Sequence, residues 1–321
     1  MDTYLAIIGG LVLLAGGGNL LVRGAVALAR SLGLSPLLIG LTLVGFGTSS
    51  PELVTSVTAA LQGSAGIAVG NIIGSNIANI LLILGIAGLM APIHVSPDGF
   101  GRDAFWLAAS AAVLVALALA GSVGRLVGAA MLVALALYVT HVAHGERRPR
   151  GLSQRAGEAL GERSQGWPSR PLPAAAVAAT GIVALVAGSV LLVRGATDLA
   201  FVLGVPETII GLTIVAVGTS LPEMTTSLVA ALQRQTDIAY GNVVGSNIFN
   251  ILFILGASAI AAPFGMPPEI AQLDIWVLLA ATGVLVFFGW TGFRLNRIEA
   301  AVFVAAYVAY VAYLAFGIGP V

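Results

Sequence analysis

One passage of this chain is written twice. Residues 40–85 read GLTLVGFGTSSPELVTSVTAALQGSAGIAVGNIIGSNIANILLILG, and residues 211–256 read GLTIVAVGTSLPEMTTSLVAALQRQTDIAYGNVVGSNIFNILFILG. The offset is constant: 223 − 52 and 250 − 79 both give 171, and the match runs without a gap from about Ala15/Val186 to Pro92/Pro263. About two thirds of the positions in these blocks are identical, more than a shared apolar composition would produce. The chain must therefore fold as two like halves. Each half carries a carboxylate, amides and hydroxyls inside text as apolar as lipid, where such groups are costly and mark function.

Hydrophobic residues make up 58% of the 321 positions and charged residues 9%, against roughly 25% charged in soluble domains. This composition indicates an all-α integral membrane protein. Apolar runs of about 20 residues, enough to cross a bilayer, number ten: about 4–29, 36–62, 65–90, 104–121, 124–144, 174–202, 206–233, 237–261, 273–291 and 298–317. Residues 1–144 form the first five-helix repeat and residues 173–321 the second. Residues 145–172, rich in Arg, Gly, Ser and Pro, form a linker, with a short amphipathic helix expected near 154–163. Five is odd, so the second copy enters from the opposite side. This predicts an inverted-topology repeat with broken helices 2, 3, 7 and 8 around a midplane site. The first span is read as retained rather than cleaved, because its LLVRG at 20–24 recurs at 191–195. The arginines cluster at 30, 102, 147–170, 234, 294 and 297 and are sparse on the other side, at 125 and 194. That asymmetry places the linker in the cytoplasm and both termini outside the cell membrane.

The polar blocks contain a device for exposing oxygen. Pro51 lacks an N–H, and its ring clashes with the carbonyl four residues earlier. A helix entering from Pro36 is expected to stop near Thr48 and restart at Pro51, freeing carbonyls that need a protein, water or ion partner inside a membrane. Those carbonyls, the Thr48 and Ser49 hydroxyls and the Glu52 carboxylate make a set of hard oxygen donors. Pro222 repeats the arrangement with Thr219, Ser220 and Glu223. Asn71, Ser75 and Asn79 share one stripe of the third span, as Asn242, Ser246 and Asn250 do of the eighth. All-oxygen donors suit Ca²⁺ or Na⁺ rather than zinc or copper. Two glutamates match one Ca²⁺ or two Na⁺. Without a cation they are like charges in a poor dielectric, so protons should compete.

GTSSPE with GNIIGSNIAN, and GTSLPE with GNVVGSNIFN, are similar to the two α-repeats of the sodium/calcium exchanger family, within the cation/calcium exchanger superfamily, in its prokaryotic form. The resemblance spans essentially the whole chain. It implies antiport of Ca²⁺ against Na⁺ by alternating access, with the first and sixth helices sliding against a core of broken helices, and no cofactor. Carried over, Glu52 and Glu223 would hold Ca²⁺ with the backbone carbonyls of Thr48 and Thr219. Ser49, Ser75, Ser220 and Ser246 would line flanking Na⁺ sites, and Asn79 and Asn250 the centre. Several relatives have aspartate where this chain has Asn250.

Other readings compete. The proton-coupled branch of the superfamily usually has an acid where this chain has Ser75/Asn76 and Ser246/Asn247, and a K⁺-dependent exchanger is a further alternative. A channel would gather its filter from several subunits, whereas a doubled unit points to one site per chain. An enzyme built on Ser49 or Ser220 would need a nearby base, and no histidine belongs to the set. The absence of cysteine excludes thiolate metal sites, and no basic patch outside the linker suits nucleic acid. Among the remaining polar residues, Gly70/Gly74 and Gly241/Gly245 read as packing positions. Asn71 and Asn242 read as helix glue or ion contacts alike, and Thr55, Ser56, Thr226 and Ser227 as hydroxyls bonded back to their own helices. Arg194 is expected to pair with Asp198, and His141 and His144 to sit at the membrane interface.

Overall fold

The structure, a computed structural model, describes residues 3–145, 170–203 and 216–317. Nearly all of the predicted linker, including the expected helix at 154–163, lies outside the described residues. In chain order the helices are α1 (Thr3–Leu32), α2 (Pro36–Ile39), α3 (Gly45–Thr48), α4 (Ser50–Leu61), α5 (Ala65–Ile77), α6 (Gly85–Met90), α7 (Pro97–Ala120) and α8 (Arg125–Gly145). They continue as α9 (Pro171–Val202), α10 (Ala216–Thr219), α11 (Leu221–Leu232), α12 (Thr236–Phe249), α13 (Gly256–Ala261), α14 (Pro268–Gln272), α15 (Asp274–Gly292) and α16 (Arg297–Gly317). Eight helical stretches among the described residues are long and apolar enough to cross a membrane. A ninth crossing is the pair Pro36–Thr48 and Ser50–Leu61, bent by 46°. The remaining predicted span, 206–233, is described only from residue 216 onward, as α10 and α11. The chain is a multi-pass membrane protein.

Among the described residues, four two-residue strands tie the helix ends together. β1 (Ile93–His94) pairs antiparallel with β4 (Arg294–Leu295), and β2 (Ser122–Val123) with β3 (Phe264–Gly265). The most enclosed crossings are Ala65–Met90 and Thr236–Ala261, which carry the asparagines. The last crossing, α16, faces mostly outward.

The tightest packing joins α1 to α9, and it follows from a glycine every seventh residue on both. Gly10, Gly17 and Gly24 recur at the 171-residue offset as Gly181, Gly188 and Gly195. A methyl at Gly17 would lie 2.8 Å from the backbone nitrogen of Leu185, and one at Gly24 2.5 Å from that of Ala178. On α9, Gly181 faces the Leu21 nitrogen and Gly188 the Gly10 carbonyl. The two helices thus run antiparallel in backbone contact from Gly10 to Gly24, about four turns of seam. Lipid offers apolar surface no advantage over protein, so such van der Waals fit is the main force that joins them.

The third and eighth helices are not broken. Each is continuous, and each contains a stretch of wide turns with i→i+5 bonding, at Ala78–Leu84 and Asn250–Leu255; a third such stretch, Gly40–Val44, precedes α3. No proline removes an N–H there, so the ladder changes pitch rather than parting. π-turns of this kind are uncommon and gather at functional sites. Asn79 and Asn250 lie at the start of two of them.

Candidate cation site

The second crossing does part, at Ser49, where the backbone leaves the helical range (φ −81°, ψ 11°) and α4 begins at Ser50, one residue before Pro51. Ser220 has the same geometry (φ −87°, ψ 8°) between α10 and α11. Each proline leaves the carbonyl four residues earlier without an N–H partner: Gly47 for Pro51, Gly218 for Pro222. The two halves meet this need differently. The Ser50 hydroxyl donates to the Gly47 carbonyl at 2.9 Å. The second copy has Leu221 at that position, and the Gly218 carbonyl instead accepts from Ser189 of α9 at 2.6 Å. Ser189 takes the place that Gly18 holds in the first copy.

The breaks bring the carboxylates together. Ser49 Oγ donates to Glu223 Oε1 at 2.9 Å, and Ser220 Oγ to Glu52 Oε1 at 3.1 Å, so each break holds the other half's glutamate. Ser75 Oγ lies 3.2 Å from Ser220 Oγ. Both glutamates are fully buried, and among the described residues Glu52 Oε2 and Glu223 Oε2 have no hydrogen-bond partner. The same is true of Asn79 Oδ1 and Asn250 Oδ1. Four buried acceptor oxygens are thus left over, two from carboxylates and two from amides. An unpaired buried carboxylate is among the costliest groups a protein can hold, unless a cation joins it.

The other predicted residues lie around this centre. Thr48 Oγ1 sits 3.0 Å from the Val44 carbonyl and 3.1 Å from Asn242 Oδ1; Thr219 Oγ1 is 3.4 Å from Asn71 Oδ1. Ser246 turns its hydroxyl onto the Gly45 carbonyl at 3.3 Å. Asn71 and Asn242 act as glue. Asn71 Nδ2 donates to the Glu52 carbonyl (3.3 Å) and to Ser56 Oγ (2.9 Å), and Asn242 Nδ2 to the Glu223 carbonyl (3.1 Å) and Ser227 Oγ (2.9 Å). Ser56 and Ser227 therefore serve as acceptors for these amides rather than bonding back to their own helices, and Thr226 Oγ1 has no hydrogen-bond partner among the described residues. Gly245 packs directly on π-turn backbone, where a methyl would meet the Leu41 carbonyl at 2.5 Å. Phe46, Phe249 and Phe253 line a cleft together with Ser49 and Ser50.

Known proteins share this chain's sequence pattern and fold. The model of the sodium/calcium exchanger protein family matches residues 3–143 and 173–316. The chain belongs to the sodium/calcium exchanger family. CaxA of Alkalimonas amylolytica is 39% identical over 307 residues, 93% of this chain and 94% of that protein. The sodium/calcium exchanger MaX1 of Methanosarcina acetivorans is 32% identical over 340 residues, 95% and 96% of the two chains. A solved structure of the sodium-calcium exchanger NCX_Mj, soaked with Na⁺ and Sr²⁺, superposes with a TM-score of 0.84 at 27% identity, covering 97% of each chain.

One peripheral expectation for this exchanger-family chain comes out differently. Arg194 and Asp198 are both exposed and form no ion pair with each other. Arg102 pairs with its neighbour Asp103 at 2.8 Å, with Asp103 buried. His141 Nδ1 accepts from the Trp106 indole at 3.0 Å, and His144 Nδ1 lies 2.7 Å from the Thr140 carbonyl.

The asymmetric capping of the two breaks yields a stability prediction. Ser189→Ala leaves the Gly218 carbonyl unpaired, at a cost of about 1–3 kcal/mol. Adding Leu221→Ser recreates the local bond of the first half. The thermal midpoint in detergent should fall for the single variant and recover in the double one; a double variant no more stable than Ser189→Ala would discard this account of the break.

Proposed function

We propose that this family member exchanges Ca²⁺ for Na⁺ by alternating access, with both ions bound at the crossed glutamates. The observation that carries the reading is the set of four buried, partnerless oxygens on Glu52, Glu223, Asn79 and Asn250. Hard oxygen donors bearing two negative charges suit Ca²⁺, and the same donors suit Na⁺. The hydroxyls of Ser49, Ser220, Ser75 and Ser246 and the carbonyls of Thr48 and Thr219 supply the flanking ligands. Na⁺ coupling, rather than proton coupling, is supported by the asparagines at the centre, which stay neutral at every accessible pH.

Halves of opposite topology around one midplane site are a common basis of alternating access, and the strand pairing supports that arrangement. β1 and β3 are the same segment in the two copies, since 93 and 264 differ by the repeat offset. β1 and β2 lie at opposite ends of α7, whose 24 residues extend about 36 Å. β3 pairs with β2, not with β1. Equivalent segments of the two halves lie at opposite ends of α7, which supports ten crossings in two inverted repeats. The arginine asymmetry then puts the linker in the cytoplasm and the termini outside the cell membrane.

Na⁺-loaded proteoliposomes diluted into Na⁺-free medium should accumulate ⁴⁵Ca²⁺, and collapsing the Na⁺ gradient should stop it. Uptake that ignores Na⁺ and follows a pH step would move the protein to proton coupling; large unitary currents in planar bilayers would make it a channel.

A further inference from the structure

Four asparagines at the centre form one hydrogen-bonded set. Asn76 Nδ2 donates to the Asn247 carbonyl, and Asn247 Nδ2 to the Asn76 carbonyl, both at 3.3 Å. Each of these side chains then offers its Oδ1 to the second pair: Asn250 Nδ2 donates to Asn76 Oδ1 at 2.9 Å, and Asn79 Nδ2 to Asn247 Oδ1 at 3.0 Å. All four residues are buried.

The direction of every amide follows from the two backbone carbonyls. A carbonyl only accepts, so Asn76 and Asn247 must turn their NH₂ groups toward it. That fixes where their own oxygens lie. Those oxygens again only accept, so Asn250 and Asn79 must turn their NH₂ groups outward. The atoms left at the two ends of the chain are Asn79 Oδ1 and Asn250 Oδ1, the amide oxygens without partners. An isolated asparagine could flip and present an NH₂ group, which repels a cation. Here neither can flip without breaking a buried hydrogen bond.

We propose that Asn76 and Asn247 are positioning residues that lock the oxygens of Asn250 and Asn79, respectively, toward the transported cation. This rests on the cation-site reading above. The assignment is crossed: Asn76 acts through Asn250, and Asn247 through Asn79. Neither clasp residue touches the ion.

The crossing makes the idea testable by double-variant cycles. Asn76→Ser and Asn247→Ser keep a small polar group at each buried position but are too short to reach the second pair. Each should raise the Ca²⁺ concentration for half-maximal ⁴⁵Ca²⁺ uptake by about tenfold, as loss of an outer-shell partner does at metal sites, with the maximal rate retained. Asn76→Ser should add nothing to Asn250→Ala but should multiply with Asn79→Ala; Asn247→Ser should show the reverse pattern. For variants that do not transport, the half-maximal Ca²⁺ for thermal stabilisation in detergent gives the same comparison. Multiplicative effects in all four pairings, unchanged Ca²⁺ dependence in both serine variants, or failure of both to fold would each overturn the positioning role. Ca²⁺-dependent stabilisation of the wild type without Na⁺-driven uptake would remove Na⁺ coupling while leaving the cycles decisive. Absence of both would overturn the cation site and the clasp together.

Discussion

Glu52→Gln and Glu223→Gln should each abolish Ca²⁺ exchange while the protein still folds and inserts. Glutamine preserves the shape, and its Oε1 can still accept from Ser220 or Ser49, as the carboxylates do at 3.1 and 2.9 Å. What changes is the second atom. The partnerless Oε2 becomes an NH₂ group, so a ligand turns into a repulsive donor and the site charge drops from two to one. Leaving a buried charge uncompensated costs roughly 3–5 kcal/mol, which at about 1.4 kcal/mol per factor of ten predicts a fall in transport on the order of 10²–10³-fold. Without bound cation the variants should melt no lower than the wild type, because a buried carboxylate has been removed. Their melting temperature should also stop responding to Ca²⁺. Measurable exchange in either variant at normal Ca²⁺ would take that glutamate out of the site; loss of both folding and exchange would make it a structural residue.

The site was legible because its chemistry is written in residues that are costly where they stand. Glu52, Pro51, Ser49 and their copies stand out against lipid-like text, and the constant offset marks them as paired positions. Less legible was how the breaks are completed. Nothing local to GTSLPE says that the Gly218 carbonyl depends on Ser189, because that bond comes from a different helix. The signal was available as a mismatch between copies: Ser50 against Leu221, and Gly18 against Ser189. Differences at the repeat offset mark where one half solves a problem by other means. The continuous third and eighth helices were missed for another reason. Widened turns have no compositional signature, since the Ala78–Leu84 residues are ordinary helix formers and only the packing sets their pitch. Ser56 and Ser227 were misread because a hydroxyl on a helix can bond locally or across, and sequence does not record which partner comes near.

Gly181→Leu should be as damaging as loss of a glutamate, but by a different route. A side chain at Gly181 begins at a Cβ only 2.4 Å from the Leu21 nitrogen and 2.7 Å from its Cα, atoms of a rigid helix that cannot step aside. Overpacking typically costs about 1–3 kcal/mol for added methylenes that neighbours can accommodate; here the obstacle is backbone, so α1 and α9 must separate. Their separation would also draw Ser189 away from the Gly218 carbonyl and Ile182 from Gly47, against which it packs, and so disturb both breaks that hold the glutamates. The expected result is low yield, a lowered thermal midpoint and no Na⁺-driven Ca²⁺ uptake. Gly16→Leu is the matched control. It lies on α1 next to Gly17, but a Cβ there meets nothing within 4 Å, so yield, melting and uptake should match the wild type. The contrast separates the seam from helix propensity, because replacing either glycine by leucine favours the helix equally. If Gly181→Leu transports normally, the backbone contact between α1 and α9 is not required for exchange. If both variants fail alike, the damage comes from added bulk in the membrane rather than from the seven-residue glycine register.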